Sequence, residues 1–368
     1  MRSAWIDNTR GVAIVLVVVG HSLQFGARDY FDFFTNPVWV TIYAFHMPLF
    51  AMISGYLAFS SFGRRTPLAV VVSRVTSILV PYVAWTVIGT TAVAILGQLV
   101  HHDFNASRVL QAVGAAFLFP GATLWFLWFL FLSYLFLALA VWAEQFVRWA
   151  SLPISIVLVF AIPLSDQLEI YELRWLYPFF VAGYLLHRYR TRLSRYEILA
   201  TSVSLVSFVL LLLAWQRDDS VYISHMDFVG DIWTTTTTWF YRYLVAGVGI
   251  IAAVGIIRWM GRISQIRSPF GALGRASLGI YCVQTYLFFV VRLFPSPGGS
   301  PWWFALYVAL VTVVVIAASY WVTHFVLERV SIFNVILLGA RRRNPSPAIA
   351  ISDTATETES PAAKRTGD

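Results

Sequence analysis

The sequence predicts an all-α polytopic integral membrane protein of about ten transmembrane helices. Three observations predict it. Of 368 residues, 59% are apolar and only 12% are charged, against about 25% charged in a soluble chain, and the mean hydropathy is +0.72. The apolar residues fall in runs of the length that a bilayer crossing needs, about 20 residues. The arginines gather in alternate gaps between those runs, the signature of the positive-inside rule. That much apolar surface cannot be hidden in one soluble core. Disorder, a disulfide scaffold and a soluble enzyme are therefore excluded for most of the chain.

The expected crossings lie near Gly11–Phe25, Val38–Phe59, Ile78–Val100, Leu124–Trp142, Pro153–Leu164, Leu173–His187, Ile198–Trp215, Trp233–Ile257, Leu273–Leu293 and Trp302–Val326. The first and fifth are short. The amino terminus and the even-numbered gaps carry Arg2, Arg10, Arg64, Arg65, Arg74, Arg148, Arg188, Arg190, Arg192, Arg195, Arg258, Arg262 and Arg267, and the carboxyl tail adds more. The odd gaps hold only Arg28, Arg108, Arg174 and Arg217. This bias places both termini in the cytoplasm of a cell-membrane protein and requires an even number of crossings. Asp7 and the lack of a clean small-x-small cleavage site make the first run a retained helix and not a cleaved signal. Residues 1–340 form the transmembrane unit. Residues 341–368, rich in Ser, Thr, Ala, Glu and Pro, read as a disordered cytoplasmic tail.

The formal net charge of +8 does not point to nucleic acid, because the basic residues sit in short gaps where anionic headgroups attract them. The single Cys282 lies in an apolar run and cannot form an internal disulfide. No metal-ligand spacing, Walker loop, dinucleotide fingerprint or Gly-x-Ser-x-Gly elbow is present.

Ionisable groups at bilayer depth are costly and usually line a cavity. Arg10 and His21 are eleven residues apart, almost three helical turns. They share one face and lie about 16 Å apart along the axis. Arg10 alone reads equally as a topology charge or as a ligand for an anion, since guanidinium forks match phosphate oxygens. His21 reads as a buried ring bonded to a carbonyl or as a proton-exchanging group, and the membrane weakens the first reading. Phe45–His46–Met47–Pro48 interrupts the second crossing, either as a tolerated kink or as a broken helix beside a cavity. Arg74 precedes Pro81–Tyr82 at the cytoplasmic entrance of the third crossing. Tryptophans open the fourth, where interfacial anchoring accounts for them. Asp227 and Asp231, and the adjacent His101, His102 and Asp103, read as solvated loops.

Trp5–Ile6–Asp7–Asn8–Thr9–Arg10–Gly11 followed by His21–Ser22 resembles the start of an acyltransferase-3 membrane O-acyltransferase, nearest to the fucose 4-O-acetylase-like branch. Further landmarks follow in order. They are Phe45–His46–Met47–Pro48 with Ser54–Gly55–Tyr56–Leu57, Arg74 with Pro81–Tyr82, Leu124–Trp125–Phe126–Leu127, Tyr177–Pro178–Phe179–Phe180 with Gly183–Tyr184–Leu185, and Gly274–Arg275–Ala276–Ser277–Leu278–Gly279–Ile280–Tyr281. The resemblance covers roughly Trp5 to Phe333. It implies a ten-helix core that moves an acyl group, usually acetyl, from cytoplasmic acyl-CoA to a hydroxyl of a carbohydrate or cell-envelope glycan. It also implies that His21 and Arg10 are the essential pair. Two positions depart from the pattern: Ser77 stands where relatives often carry a second arginine, and Gln284 where many carry a histidine.

Both lines lead to one expectation. Acetyl-CoA or another acyl-CoA docks from the cytoplasm with its phosphates near Arg10, Arg74 and Arg64 or Arg65. Its arm enters a cavity reaching the depth of His21, with Tyr56, Trp125 and Gln284 as wall residues. His21 deprotonates the acceptor hydroxyl or carries the acyl group itself. The rival expectation is a membrane transporter that exports a sugar or acylated product. The Arg10/His21 face and the absence of an internal repeat favour the enzyme.

Overall fold

A computed structural model describes residues 4–26, 36–100, 104–120, 124–163, 170–193, 196–215, 231–294 and 300–340. The expected tail 341–368, the His101–His102–Asp103 run, Asp227, Arg28 and Arg217 lie outside the described residues. Among the described residues every regular element is helical, as the composition predicts.

The chain enters through α1 (Ala4–His21), which passes into a π-helical turn at Ser22–Gly26. The second expected crossing is broken: α2 (Pro37–Tyr43) and α3 (His46–Phe62) meet at a turn around Ala44 and Phe45. Asn36 caps α2 by accepting from the Val38 and Trp39 N–H groups, and Pro37 occupies its first turn, where its missing N–H costs nothing. At the break the Ile42 carbonyl accepts the Phe45 N–H at 3.3 Å and the Nδ1–H of His46 at 2.8 Å, so a side chain adds to the weakened backbone ladder there. Next come α4 (Pro67–Arg74), a π turn (Val75–Leu79), α5 (Val80–Val100), α6 (Ala106–Leu118), α7 (Trp125–Val147), α8 (Ser151–Ala161), α9 (Ile170–Leu193) and α10 (Glu197–Leu213). The chain ends through α11 (Ile232–Met260), α12 (Ser264–Arg275), α13 (Ser277–Val291), α14 (Pro301–Trp321), a third π turn (Val322–Leu327) and α15 (Ser331–Leu338).

Among the described residues six helical spans are long and apolar enough to cross a bilayer, and the bent pair Pro269–Arg275 and Ser277–Val291, at 78°, makes a seventh if read as one span. The other three of the ten expected crossings differ for physical reasons. Helix α8 has 11 residues and α10 has 17, about 16 and 25 Å against roughly 30 Å of hydrocarbon. Helix α9 has 24 residues but is charged at both ends by Glu172, Arg174, Arg188 and Arg190.

Helix α1 is the central element, packed against α3, α11, α12, α13 and α14. Two pairs of glycines set the close approaches. A Cβ on Gly55 of α3 would overlap the Phe180 carbonyl, and one on Gly183 of α9 would overlap the Met52 carbonyl. Likewise a Cβ on Gly11 would strike the Phe270 carbonyl, and one on Gly274 the Asp7 carbonyl. Membrane helices associate largely through such backbone contact, since lipid is as apolar as leucine. Large apolar residues left outside, such as Leu110, Leu213 and Trp302, suit hydrocarbon surroundings.

Candidate active site

The packing leaves a cavity of about 1440 Å³. Its mouth lies where the start of α1, the ends of α3, α9 and α11, the start of α10, and Arg64 and Arg74 come together. This is the end of the bundle that carries the arginine-rich gaps. Five arginines (Arg10, Arg64, Arg74, Arg190 and Arg258) and two carboxylates (Asp7 and Glu197) are among its lining residues. Anions are therefore favoured there. Farther in, Ile14, Val17, Met47, Phe50, Phe126, Leu127 and Tyr281 make the wall apolar.

Of the residues expected to bind the donor, Arg10, Arg64, Arg74 and Tyr56 line this cavity together. Arg65 is exposed and is not among its lining residues, and neither is Trp125. Trp125 instead packs edge-on against Phe126, a wall residue, with ring centroids 5.8 Å apart. Arg74 is held by two contacts. Its guanidinium donates to Ser61 Oγ at 2.8 Å, and its Cζ lies 4.4 Å from the Tyr134 ring centroid. Its Nε is buried and meets no hydrogen-bond acceptor among the described residues; Ser77 Oγ is in the same condition. Both residues line the cavity. A buried guanidinium N–H and a buried hydroxyl left unsatisfied are costly, and anionic oxygens are the partners that best relieve them. Arg10, Arg64, Arg74 and Ser77 thus make a site suited to an anionic group.

The cavity ends at Val17, one turn before His21 on α1, so it stops short of the expected depth. His21 keeps partial exposure without being one of its lining residues. Its ring packs against Phe25 at 5.2 Å and Phe288 at 5.7 Å. Gln284 was expected as a cavity wall, yet it is buried in α13 with its Oε1 3.0 Å from His21 Nδ1. The same amide donates through Nε2 to the Tyr281 carbonyl at 3.3 Å and to Thr285 Oγ1 at 3.2 Å. A backbone carbonyl only accepts, so the amide nitrogen must face Tyr281 and the amide oxygen must face His21. His21 Nδ1 therefore carries the proton and Nε2 keeps its lone pair. A neutral imidazole with an open Nε2 is the form that takes a proton from a hydroxyl. Downstream of the ring the helix widens into the π turn, whose Ser22 Oγ donates to the Val18 carbonyl at 2.8 Å and accepts from Thr312 Oγ1 at 3.0 Å. Such π segments often occur at functional positions. Among the described residues no cluster of three or more His, Cys, Asp or Glu is placed to hold a metal ion.

The family model described as an acyltransferase domain, of the acyltransferase-3 type, matches residues 3–324. The chain belongs to the acyltransferase-3 family. It is a membrane-embedded O-acyltransferase. Nodulation protein NolL of Sinorhizobium fredii is 29% identical over 300 residues, which are 78% of this chain and 78% of that protein. Nodulation protein NolL of Mesorhizobium japonicum is 29% identical over 187 residues, 50% of this chain and 48% of its own length. No solved structure matches the chain.

Several residues of this acyltransferase-3 site are invisible to spacing arguments. Tyr134 sits in the apolar run of α7, and only the folded chain brings it to Arg74, sixty residues earlier. Arg190 and Arg258 read as topology charges, and His187 as the end of the sixth expected crossing, yet all three line the cavity. Trp5, legible only as part of the opening motif, lines it as well.

Proposed function

We propose that this acyltransferase moves an acetyl or similar short acyl group from cytoplasmic acyl-CoA to a hydroxyl of a carbohydrate or cell-envelope glycan. In this reading the protein sits in the cell membrane with both termini cytoplasmic. The observation that carries it is the pair of unsatisfied buried groups, Arg74 Nε and Ser77 Oγ, in a cavity that also takes Arg10 and Arg64. Acyl-CoA supplies the acyl group as a thioester. Arg10, Arg64 and Arg74 hold its anionic end at the mouth, and the apolar walls exclude water from the inner end. The acyl end reaches His21 when the last turn between Val17 and the ring opens. His21 Nε2 takes the hydroxyl proton as the acceptor oxygen bonds to the acyl carbon. The carbon–sulfur bond breaks, and the proton passes on to the leaving thiolate. Gln284 keeps the ring in the required tautomer throughout.

The test is incubation of purified protein with radiolabelled acetyl-CoA and a panel of glycans. Label in a glycan, lost on mild alkaline hydrolysis, is the expected result. Solute movement across vesicles with no label incorporated would establish transport and overturn the assignment.

A further inference from the structure

The cavity has a second polar flank that the steps above do not use. Trp5 meets the Tyr56 ring edge-on with centroids 5.2 Å apart, and Tyr56 lies 4.3 Å from the His187 ring, which stacks on Phe59 at 4.8 Å. The imidazole is fixed at both edges. Its Nδ1–H donates to the Tyr56 carbonyl at 2.9 Å, and its Nε2 accepts from the Arg190 guanidinium. Its polar atoms are therefore used within the protein and its ring packs between Tyr56 and Phe59, so it holds Tyr56 in place beside Trp5. Arg258 places its Cζ 5.6 Å from the Trp5 ring centroid, and its Nε donates to Glu197 at 3.0 Å. Arg190 and Arg258 are exposed, and Trp5, Tyr56, His187, Arg190 and Arg258 all line the cavity.

Aromatic plates beside two guanidinium groups suit a flat heteroaromatic ring that carries a phosphate. Bases stack on such rings whatever their hydrogen-bonding edges, and guanidinium forks match phosphate oxygens. We propose that this flank binds the adenosine 3′-phosphate end of the acyl-CoA donor. The purine lies against Trp5 and Tyr56, and the 3′-phosphate meets Arg190 and Arg258. This rests on acyl-CoA being the donor. The two arginine sets then divide the ligand's charge: Arg10, Arg64 and Arg74 serve the pyrophosphate, and Arg190 and Arg258 the separate monophosphate.

The test uses three donors with the purified full-length protein: acetyl-CoA, its 3′-dephospho form, and acetyl-4′-phosphopantetheine. For the unaltered protein KM rises about tenfold on loss of the 3′-phosphate and by about as much again on loss of adenosine. In Arg190→Gln and Arg258→Gln the first step shrinks to within about twofold. In Trp5→Leu the second step shrinks. The two arginine variants change exposed side chains, so they keep the proposal open to refutation if Trp5→Leu does not fold. Variants that raise KM equally for all three donors, or for none, overturn the proposal. No transfer from acetyl-CoA by the unaltered protein would instead overturn the donor assignment beneath it.

Discussion

Gln284 Oε1 accepts the Nδ1–H of His21 at 3.0 Å across the α1–α13 contact. The amide is itself oriented by its bond to the Tyr281 carbonyl, so α13 dictates which nitrogen of the imidazole stays open. Gln284→Leu removes the acceptor and keeps the bulk. We expect kcat to fall about 10- to 100-fold, the cost of a misplaced or wrongly protonated base, with little change in KM for acetyl-CoA. Gln284→Glu keeps an acceptor oxygen and should retain more turnover than Gln284→Leu. Steady-state kinetics of the two variants decide this, and equal losses would assign Gln284 a packing role only.

Arg74 is predicted to act in donor binding. Arg74→Lys keeps the charge but loses the fork and the Nε–H that lacks a partner. KM for acetyl-CoA should rise about 10- to 100-fold, the range for losing hydrogen bonds to a charged group, while kcat changes less. Initial-rate measurements over a range of acetyl-CoA concentrations check the split. A fall in kcat at constant KM would move Arg74 from binding to chemistry.

The α3–α9 approach is set by Gly55 and Gly183, each against the other helix's backbone. Gly55→Val should destabilise the protein by about 1–3 kcal/mol through overpacking, seen as a lower midpoint of thermal unfolding in detergent. Gly97→Ala, where an added Cβ meets nothing within 4 Å, should leave the midpoint unchanged or raise it slightly. Equal midpoints for the two variants would show that the close approach is not a constraint.

The fold class was legible because a bilayer imposes a composition that no soluble core imitates. The shared face of Arg10 and His21 was legible because helical spacing is local. The broken second crossing showed in His46 and Pro48, and the ring of His46 completes the break by bonding Ile42. What stayed hidden depends on contacts distant in sequence. Tyr134 beneath Arg74, and His187 between Tyr56 and Phe59, join helices that no spacing rule relates. Gln284 showed as a departure from a pattern and as a wall candidate, and its two-sided hydrogen bonding needed the folded helix. Helices α8, α9 and α10, expected as crossings from their apolar runs, are not among the helices that are long and apolar enough by themselves, because α8 and α10 are short and α9 is charged at both ends.

The most direct measurement is turnover of purified His21→Ala with radiolabelled acetyl-CoA and the best glycan acceptor, beside a donor-binding measurement on the same preparation. The expected result is acyl transfer reduced at least about 100-fold, the lower bound for losing a general base, with acetyl-CoA still bound at the arginine-lined mouth. Turnover equal to that of the unaltered protein would contradict the role given to His21.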